Sequence, residues 1–311
     1  MHLPTLLTTL LLSSSTLAAN LSTIYQFPNG TWLENIASTR NGSLLVSLIG
    51  APEVHIVHPH TAPTSSSLIA TFPSANAVLG ITELKPDVFA VAVGTIILPS
   101  STVPGSYSIW TIDLSCQNVT TTKIADLKTL QMVNGIALLN PHTLLLADSY
   151  GGAIAKLDLR TKEHSVVLRD PILEANSSAP TLTLGVNGIR MHANYLYYSS
   201  TVHNTLGRVK LNLRTGAAVG AFTNIASGEQ ISLPDDFVVL ADGSVLQARP
   251  IADTLQHVGL RGEVELLGVV GGPTSVVLAR GEKMGSVAYV CTSGLVGGVA
   301  REGGRVVRVE F

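Results

Sequence analysis

Apolar residues along this chain fall in short runs of roughly four to eight, broken by glycine, proline, asparagine or charge, which is the rhythm of strands rather than helices. Two stretches show the rhythm most plainly. "MVNGIALLNPHTLLLADSYGGAIAKLDLRTK" and "GVNGIRMHANYLYYSSTVHNTLGRVKLNLRTG" carry the same Asn-Gly-Ile step at Asn134 and Asn187, 53 residues apart. Each continues into a short apolar strand, a polar turn, a second and more apolar strand, and a third strand ending Leu-Asx-Leu-Arg-Thr.

Six segments share this grammar, starting near Glu34, Gly80, Asn134, Asn187, Asp235 and Gly272. A polar residue or glycine precedes the first strand, and turns such as "RNG", "KPD", "NPH", "HAN" and "ADG" follow it. These are hairpin residues, because they accept the backbone angles a tight turn needs. Units of roughly 40 to 55 residues with about four short strands each are the signature of a β-propeller. The pattern therefore predicts an all-β, six-bladed β-propeller as a single domain over residues 20–311, with the last strand, "GRVVRVEF", returning to complete a blade. "KTLQMVNGIALL" comes closest to a helical period, but its Asn-Gly interrupts it. The alternatives are a β-sandwich or two small β domains. No linker divides the chain, and "PTSSS" at 63–67 and "EANSSAP" at 174–180 read as loops within blades.

Composition sharpens this picture. The 311 residues are 46% hydrophobic and only 13% charged, with a net charge of -2. A large core is available, and no basic face points to a nucleic-acid or anionic-membrane partner. The opening "MHLPTLLTTLLLSSSTLAAN" reads as a secretory signal peptide over residues 1–19, cleaved after Ala18 or Ala19, although it lacks an early Lys or Arg. It is too short and too rich in Ser and Thr to serve as a membrane anchor. A secreted or secretory-lumen location follows as an expectation. Five Asn-x-Ser/Thr triplets, at Asn20, Asn29, Asn41, Asn118 and Asn176, agree with it as glycosylation acceptors. Cys116 and Cys291 are available for one disulfide in that compartment, but no CxxC or histidine spacing suggests zinc.

Propeller geometry converts sequence spacing into a ring. Residues just before each inner strand sit at one mouth of the central channel, so Glu34, Asn134, Asn187 and Asp235 or Asp236 are expected to converge. Two amide oxygens with carboxylates suit Ca²⁺ or another hard divalent cation. The alternative is that the asparagines are turn formers and the aspartates only start a strand. Trp32, Met132, Met191 and Trp110 are either pocket lining or core. His203, in "STVHNTLG", belongs to a loop at a channel mouth or to plain surface. His55, His58 and His60 in "VHIVHPH" alternate as a second-blade edge strand and its turn would. "DSYGG" and "TSGLVGG" lack the strand-turn-helix setting of a nucleophile elbow, and no GxGxxG precedes a helix.

The motifs "WLENI", "NGIALL", "NGIRMHANYLYYSST", "LPDDFVVLADGSVLQA" and "GGPTSVVLA" resemble the senescence-marker-protein-30/gluconolactonase type of six-bladed propeller, and more closely its secreted fungal branch. For the lactonases of that family the resemblance implies one divalent metal on Glu34, Asn187 and Asp235, with Asn134 beside the substrate and Asp235 as base. Sugar lactonases of this type carry an Arg just ahead of the pocket Asn; here Met132 and Val133 stand there, which suits an apolar ligand. The fungal branch includes hetero-Diels-Alderases of tropolone-sesquiterpenoid biosynthesis. These join a quinone methide, formed by dehydrating a tropolone alcohol, to a terpene alkene such as humulenol. Such a pericyclase requires no cofactor. It needs a shaped apolar pocket and a few polar contacts, for which Glu34, Asn134, Asn187, Asp236 and His203 are the candidates, with Trp32 and Met132 as lining. Three readings stand from the sequence: the pericyclase acting on a small apolar substrate, a metal-dependent lactonase or esterase, and a non-catalytic binding propeller.

Overall fold

The computed structural model describes residues 19–97, 101–176, 184–281, 285–296, 299–300 and 302–311. The leader expected over residues 1–19 thus lies outside the described residues except for its last one. The fold is all-β, with two single-turn 3₁₀ segments, Pro171–Leu173 and Glu229–Ile231, as the helical elements among the described residues. No helix among them is long and apolar enough to cross a membrane.

Four antiparallel sheets stand separately, each of four strands. One runs Val133–Asn140, Thr143–Asp148, Ala153–Asp158, His164–Leu168; the next Val186–His192, Tyr195–Ser200, Thr205–Lys210, Thr223–Ser227. The third runs Phe237–Val239, Val245–Arg249, Thr254–Val258, Val264–Val269. The fourth takes Pro273–Leu278, Val287–Thr292 and Arg305–Glu310, then adds Asn20–Gln26 as its outer strand, so "GRVVRVEF" does return to complete a sheet.

The first two repeat units behave differently from the expectation of six separate blades. Trp32–Ser38, Leu44–Ile49, Glu53–His58 and Ser65–Thr71 form one meander, and Ala77–Lys85, Val88–Gly94, Ser108–Asp113 and Thr120–Asp126 form another. A single residue pair, Ile49 with Ala77, fuses them into one eight-stranded sheet. Next to that pair the Gly50 N–H donates to Asn76 O at 2.9 Å, which draws the end of one meander against the start of the next. Two smaller corrections follow. Ser65–Ser67, expected in a loop, open an outer strand, and His55 and His58 lie on the third strand of the first meander.

Six hydrophobic clusters, each wedged between neighbouring meanders, make up the core. The second strands are its heart: every residue of Leu44–Ile49 and of Val88–Gly94 is buried. This explains continuous apolar runs where a one-sided sheet would alternate. Outer strands such as Thr120–Asp126 are mostly exposed, so Ser and Thr carry the surface and few charges are needed.

The first strands of the six meanders touch one another in a closed circle. Three of them approach through glycine. A side chain at Gly135 would place its Cβ 2.5 Å from Asn187 O and 2.8 Å from Ile189 N, both backbone atoms that cannot move aside. Gly80 meets Asn134 O in the same way, and Gly188 meets the Cα and the carboxylate of Asp236. The repeated Asn-Gly is therefore a packing requirement at the axis as well as a turn signal.

Beneath this circle lies a buried polar knot. One oxygen of Asp236, Oδ2, accepts from Asn35 Nδ2 at 2.9 Å, from Ser275 Oγ at 2.8 Å, and from the Arg190 guanidinium. These partners come from three other meanders. Removing one member of a buried ion pair leaves an uncompensated charge, which costs about 3–5 kcal/mol. Asp236→Ala is expected to lower unfolding stability by that amount in a urea titration; a change within about 0.5 kcal/mol, as for an ordinary surface site, would show that the knot does not hold the circle.

Candidate functional site

The first strands share a local irregularity that aims their polar residues. Pairing to the second strand skips Glu34 in the first meander, Asn134-Gly135 in the third, Asn187-Gly188 in the fourth and Thr274 in the last. A bulged residue is released from the ladder and its side chain is re-aimed. All four released side chains, together with Asp235, line one cavity of about 140 Å³ at the channel mouth. Asp235 reaches it just ahead of the strand Phe237–Val239. Its neighbour Asp236 points the other way, as consecutive extended residues do, and enters the knot below.

The cavity wall is otherwise largely apolar. Trp32, Met132, Ile49, Ile96, Leu184 and Pro234 contribute to it, with Ile251 and Ser101 at the exposed rim. Ser101 belongs to a two-stranded ribbon, Ile96–Ile97 with Ser101–Thr102, and Leu295 to a second, Leu295–Val296 with Val299–Ala300. Asn76 secures the first ribbon by donating to Ile96 O and accepting from Ile96 N, each at 2.8 Å. Among the described lining residues there is no Lys, Arg or His; the charged side chains are Glu34 and Asp235.

That imbalance sets the electrostatics. Burial, with the charge of Asp236 adding to it, pushes the Glu34 carboxyl up from 4.5 to about 7, and the Trp32 hydrogen bond only partly opposes this. The Trp32 indole Nε1 donates to Glu34 Oε2 at 2.9 Å, leaving Oε1 for a ligand. Asp235 is held well above the usual carboxylate range, first by desolvation and then by the negative charges of Glu34 and Asp236, against a stabilising bond from Asn187. Two carboxyl groups facing one largely apolar space raise each other's affinity for a proton, the arrangement that suits general-acid chemistry.

The structure thus brings together Glu34, Asn134, Asn187, Asp235, Trp32 and Met132. It does not bring in Asp236, which does not line the cavity and whose Oδ2 is engaged by Arg190, Asn35 and Ser275. Nor does it bring in His203, which is exposed with Nε2 at 3.0 Å from Glu174 O. Trp110 packs edge-on against Phe72 in a core wedge, and Met191 packs in another. Cys116 is exposed and Cys291 buried, both as free thiols. Cys291 lies against Thr274 Oγ1 and Ser275 O, and burial pushes its thiol up. Thr201 and Thr274 are cavity residues that sequence reasoning missed. Glu34, Asn134 and Asn187, expected just ahead of the inner strands, lie within them at the bulge, and Thr274 occupies the same bulged position, an equivalence visible in the repeat.

The residues present fit a hard cation. Glu34 and Asp235 are carboxylates, and the buried Asn187 Oδ1 has no hydrogen-bond partner. No cluster of three or more His, Cys, Asp or Glu side chains with metal-binding geometry occurs among the described residues, so such an ion would rely on the amide oxygen as well as the carboxylates.

No family model matches the chain. It is 24% identical over 309 residues to a protein of Sarocladium schorii that carries the provisional name hetero-Diels-Alderase, a match covering 86% of this chain and 76% of that one. A Phoma protein with the same provisional name is 25% identical over 302 residues, covering 86% and 85%. Among solved structures, a luciferin-regenerating enzyme superposes with a TM-score of 0.68 at 13% identity, covering 94% of this chain and 95% of that one. Regucalcin from Agrobacterium tumefaciens, a calcium-binding protein, superposes with a TM-score of 0.64 at 16% identity, covering 93% and 94%. The chain is a homologue of the proteins named hetero-Diels-Alderase, on an all-β propeller scaffold shared with regucalcin.

Proposed function

We propose that this chain is an enzyme that catalyses a hetero-Diels-Alder cyclisation in the axial cavity, joining a tropolone-derived quinone methide to a terpene alkene. The observation that carries the reading is an acidic pair in an apolar space with no cationic lining, found in a homologue of proteins bearing that name. In this reading the eight-stranded sheet counts as two blades, and the scaffold has six. The proposal includes passage through the secretory pathway, supported by the leader and by exposure of all five sequon asparagines.

The chemistry asks two things of the chain. Dehydration of the tropolone alcohol needs a proton for the departing hydroxyl and a base for the ring hydroxyl. Glu34 and Asp235 act as a coupled pair: the protonated member gives the first and the ionised member takes the second. Water leaves, the quinone methide is neutral, and the total proton count of the pair is unchanged. The cycloaddition then forms a carbon–carbon and a carbon–oxygen bond with no net proton transfer. There the wall acts by shape, holding diene and alkene in one relative orientation. Asn134, on the same cavity wall, holds an oxygen of the reacting ring.

A second reading is favoured by the unpartnered Asn187 Oδ1. Glu34, Asn187 and Asp235 would then hold a divalent cation, which when bound would polarise a lactone carbonyl. The chain's own contribution would be the same enclosure and the same oxygen ligands.

Two outcomes separate these readings. Loss of a positioned acid typically costs 10²–10⁴-fold, so Glu34→Gln is expected to slow product formation from the alcohol precursor by about that factor. In the native protein the rate should fall as pH rises through about 7, where Glu34 gives up its proton. An unchanged rate in the variant would remove Glu34 from the mechanism. Separately, the cyclase reading expects product formation to survive dialysis against a chelator. One ion per chain by elemental analysis, lost together with activity, would transfer the assignment to the metal-dependent hydrolase.

A further inference from the structure

A second cavity, of about 330 Å³, lies between the loop 27–31 and the first meander, and Ile49 is the one described residue that also lines the axial cavity. Its wall is of two kinds. The buried Phe27 ring, Pro28, Leu48 and Ala51 are apolar, while Thr31, Glu53 and His55 are polar. His55 Nε2 stands 2.9 Å from Glu53 Oε2, and the His55 ring packs perpendicular to Phe27 with centroids 5.4 Å apart, so the two kinds of wall are held to each other. The loop is pinned at both ends on one residue: Phe27 N–H donates to Gly304 O at 2.9 Å, and Gly304 N–H donates to Thr31 O at 2.8 Å. Between these ends Thr31 N–H donates to Pro28 O at 3.1 Å, closing a tight turn whose third residue, Gly30, has the positive φ, 87°, that such a turn needs.

Asn29 stands exposed in that turn, and its neighbours on either side, Pro28 and Gly30, both line the cavity. A Cβ at Gly30 would meet no atom within 4 Å, so the space beside Asn29 is open. Asn29-Gly30-Thr31 is also a glycosylation triplet, and of the five in the chain it alone places described residues on the wall of a described cavity. A pyranose suits such a wall, since C–H groups cover its faces and hydrogen-bonding groups its edge. A sugar joined to Asn29 is held at roughly millimolar effective concentration, so weak contacts suffice to seat it. We infer that this cavity seats the innermost N-acetylglucosamine of a glycan on Asn29, with its apolar face on Phe27 and its polar edge toward Thr31, Glu53 and His55. The glycan comes from a lipid-diphosphate oligosaccharide donor. The bond from Asn29 Nδ2 to the sugar C1 forms as the C1–O bond to the diphosphate breaks, one amide proton is lost to the medium, and nothing is oxidised or reduced. The inference rests on passage through the secretory pathway, and adds to it a structural role for one glycan.

The test compares the chain secreted with its glycans from a eukaryotic host with residues 20–311 made in a bacterial cytoplasm, where no glycan is added. Occupancy is read by peptide mass spectrometry and stability by thermal unfolding, and Asn29 is expected to be occupied. Asn29→Gln should lower the unfolding midpoint of the glycosylated protein by about 2–4 °C, and that of the sugar-free protein by about 1 °C or less. Trimming every glycan to its first sugar should leave the midpoint in place. Asn118→Gln, at another exposed triplet, should not move it. In the trimmed protein, NMR should show contacts between protons of the Asn29 sugar and the Phe27 ring; their absence overturns the inference and needs no variant to do so. Equal shifts from Asn29→Gln with and without glycans overturn it, because the turn rather than the sugar would account for them. A midpoint that falls on trimming overturns it too, since the outer sugars would then carry the effect. An unoccupied Asn29 in a chain glycosylated at other triplets does the same. If none of the five triplets carries a glycan, the secretory reading fails first and takes this inference with it.

Discussion

The architecture turns on one buried carboxylate. Asp236 is nearly inaccessible, yet it carries a charge that a protein interior tolerates only when it is matched. Arg190 supplies the countercharge, and Asn35 and Ser275 supply neutral donors, each from a different meander. Backbone bonds join the same level: Asp236 N–H donates to Thr274 O at 3.1 Å, and Thr274 Oγ1 donates to Leu33 O at 2.9 Å. Together with the glycine approaches at Gly80, Gly135 and Gly188, these contacts fix the height and tilt of each first strand around the axis. Because that level is fixed, the residue just before it on each strand can face upward into a cavity without collapsing onto its neighbours.

The same knot shapes the chemistry above it. Asp236 adds negative potential to Glu34 and Asp235, while its countercharge, Arg190, lines a separate pocket with Ser38, Glu83 and Arg280. The upper level is thus rich in acceptors and poor in positive charge, and it is walled by Trp32, Met132 and aliphatic side chains. Such a space stabilises neutral organic molecules, keeps a carboxyl protonated near neutrality, and offers hydrogen-bond acceptors at set points. Solved structures with other printed roles share the scaffold, so the fold alone does not fix what such a cavity takes.

Much of this was legible in the sequence. The Asn-Gly-Ile repeat marks equivalent strands, and its spacing alone puts Glu34, Asn134, Asn187 and Asp235 at one level. Other features depended on contacts that spacing does not encode. Asp235 and Asp236 are adjacent and identical in type; only the direction of the strand separates a cavity group from a structural one. His203 looked like a mouth residue because its loop follows the right strand, but its ring turns to Glu174 O. Thr201 gave no signal, since its role lies in one hydroxyl bridging Asn187 and Pro234. The fusion of the first two meanders rests on a single pair, Ile49 with Ala77, which no repeat pattern foretells.

The central claim is that the axial cavity keeps a carboxyl group protonated near neutral pH because it is enclosed, apolar and unmatched by positive charge. The direct measurement is a ¹³C NMR titration of protein labelled at the glutamate carboxyl, with Glu34→Gln used to assign the resonance. The account expects a Glu34 midpoint of about 7, in place of its ordinary 4.5. A midpoint at the ordinary value would mean that water or a cation reaches Glu34 freely, and would contradict the account of the site.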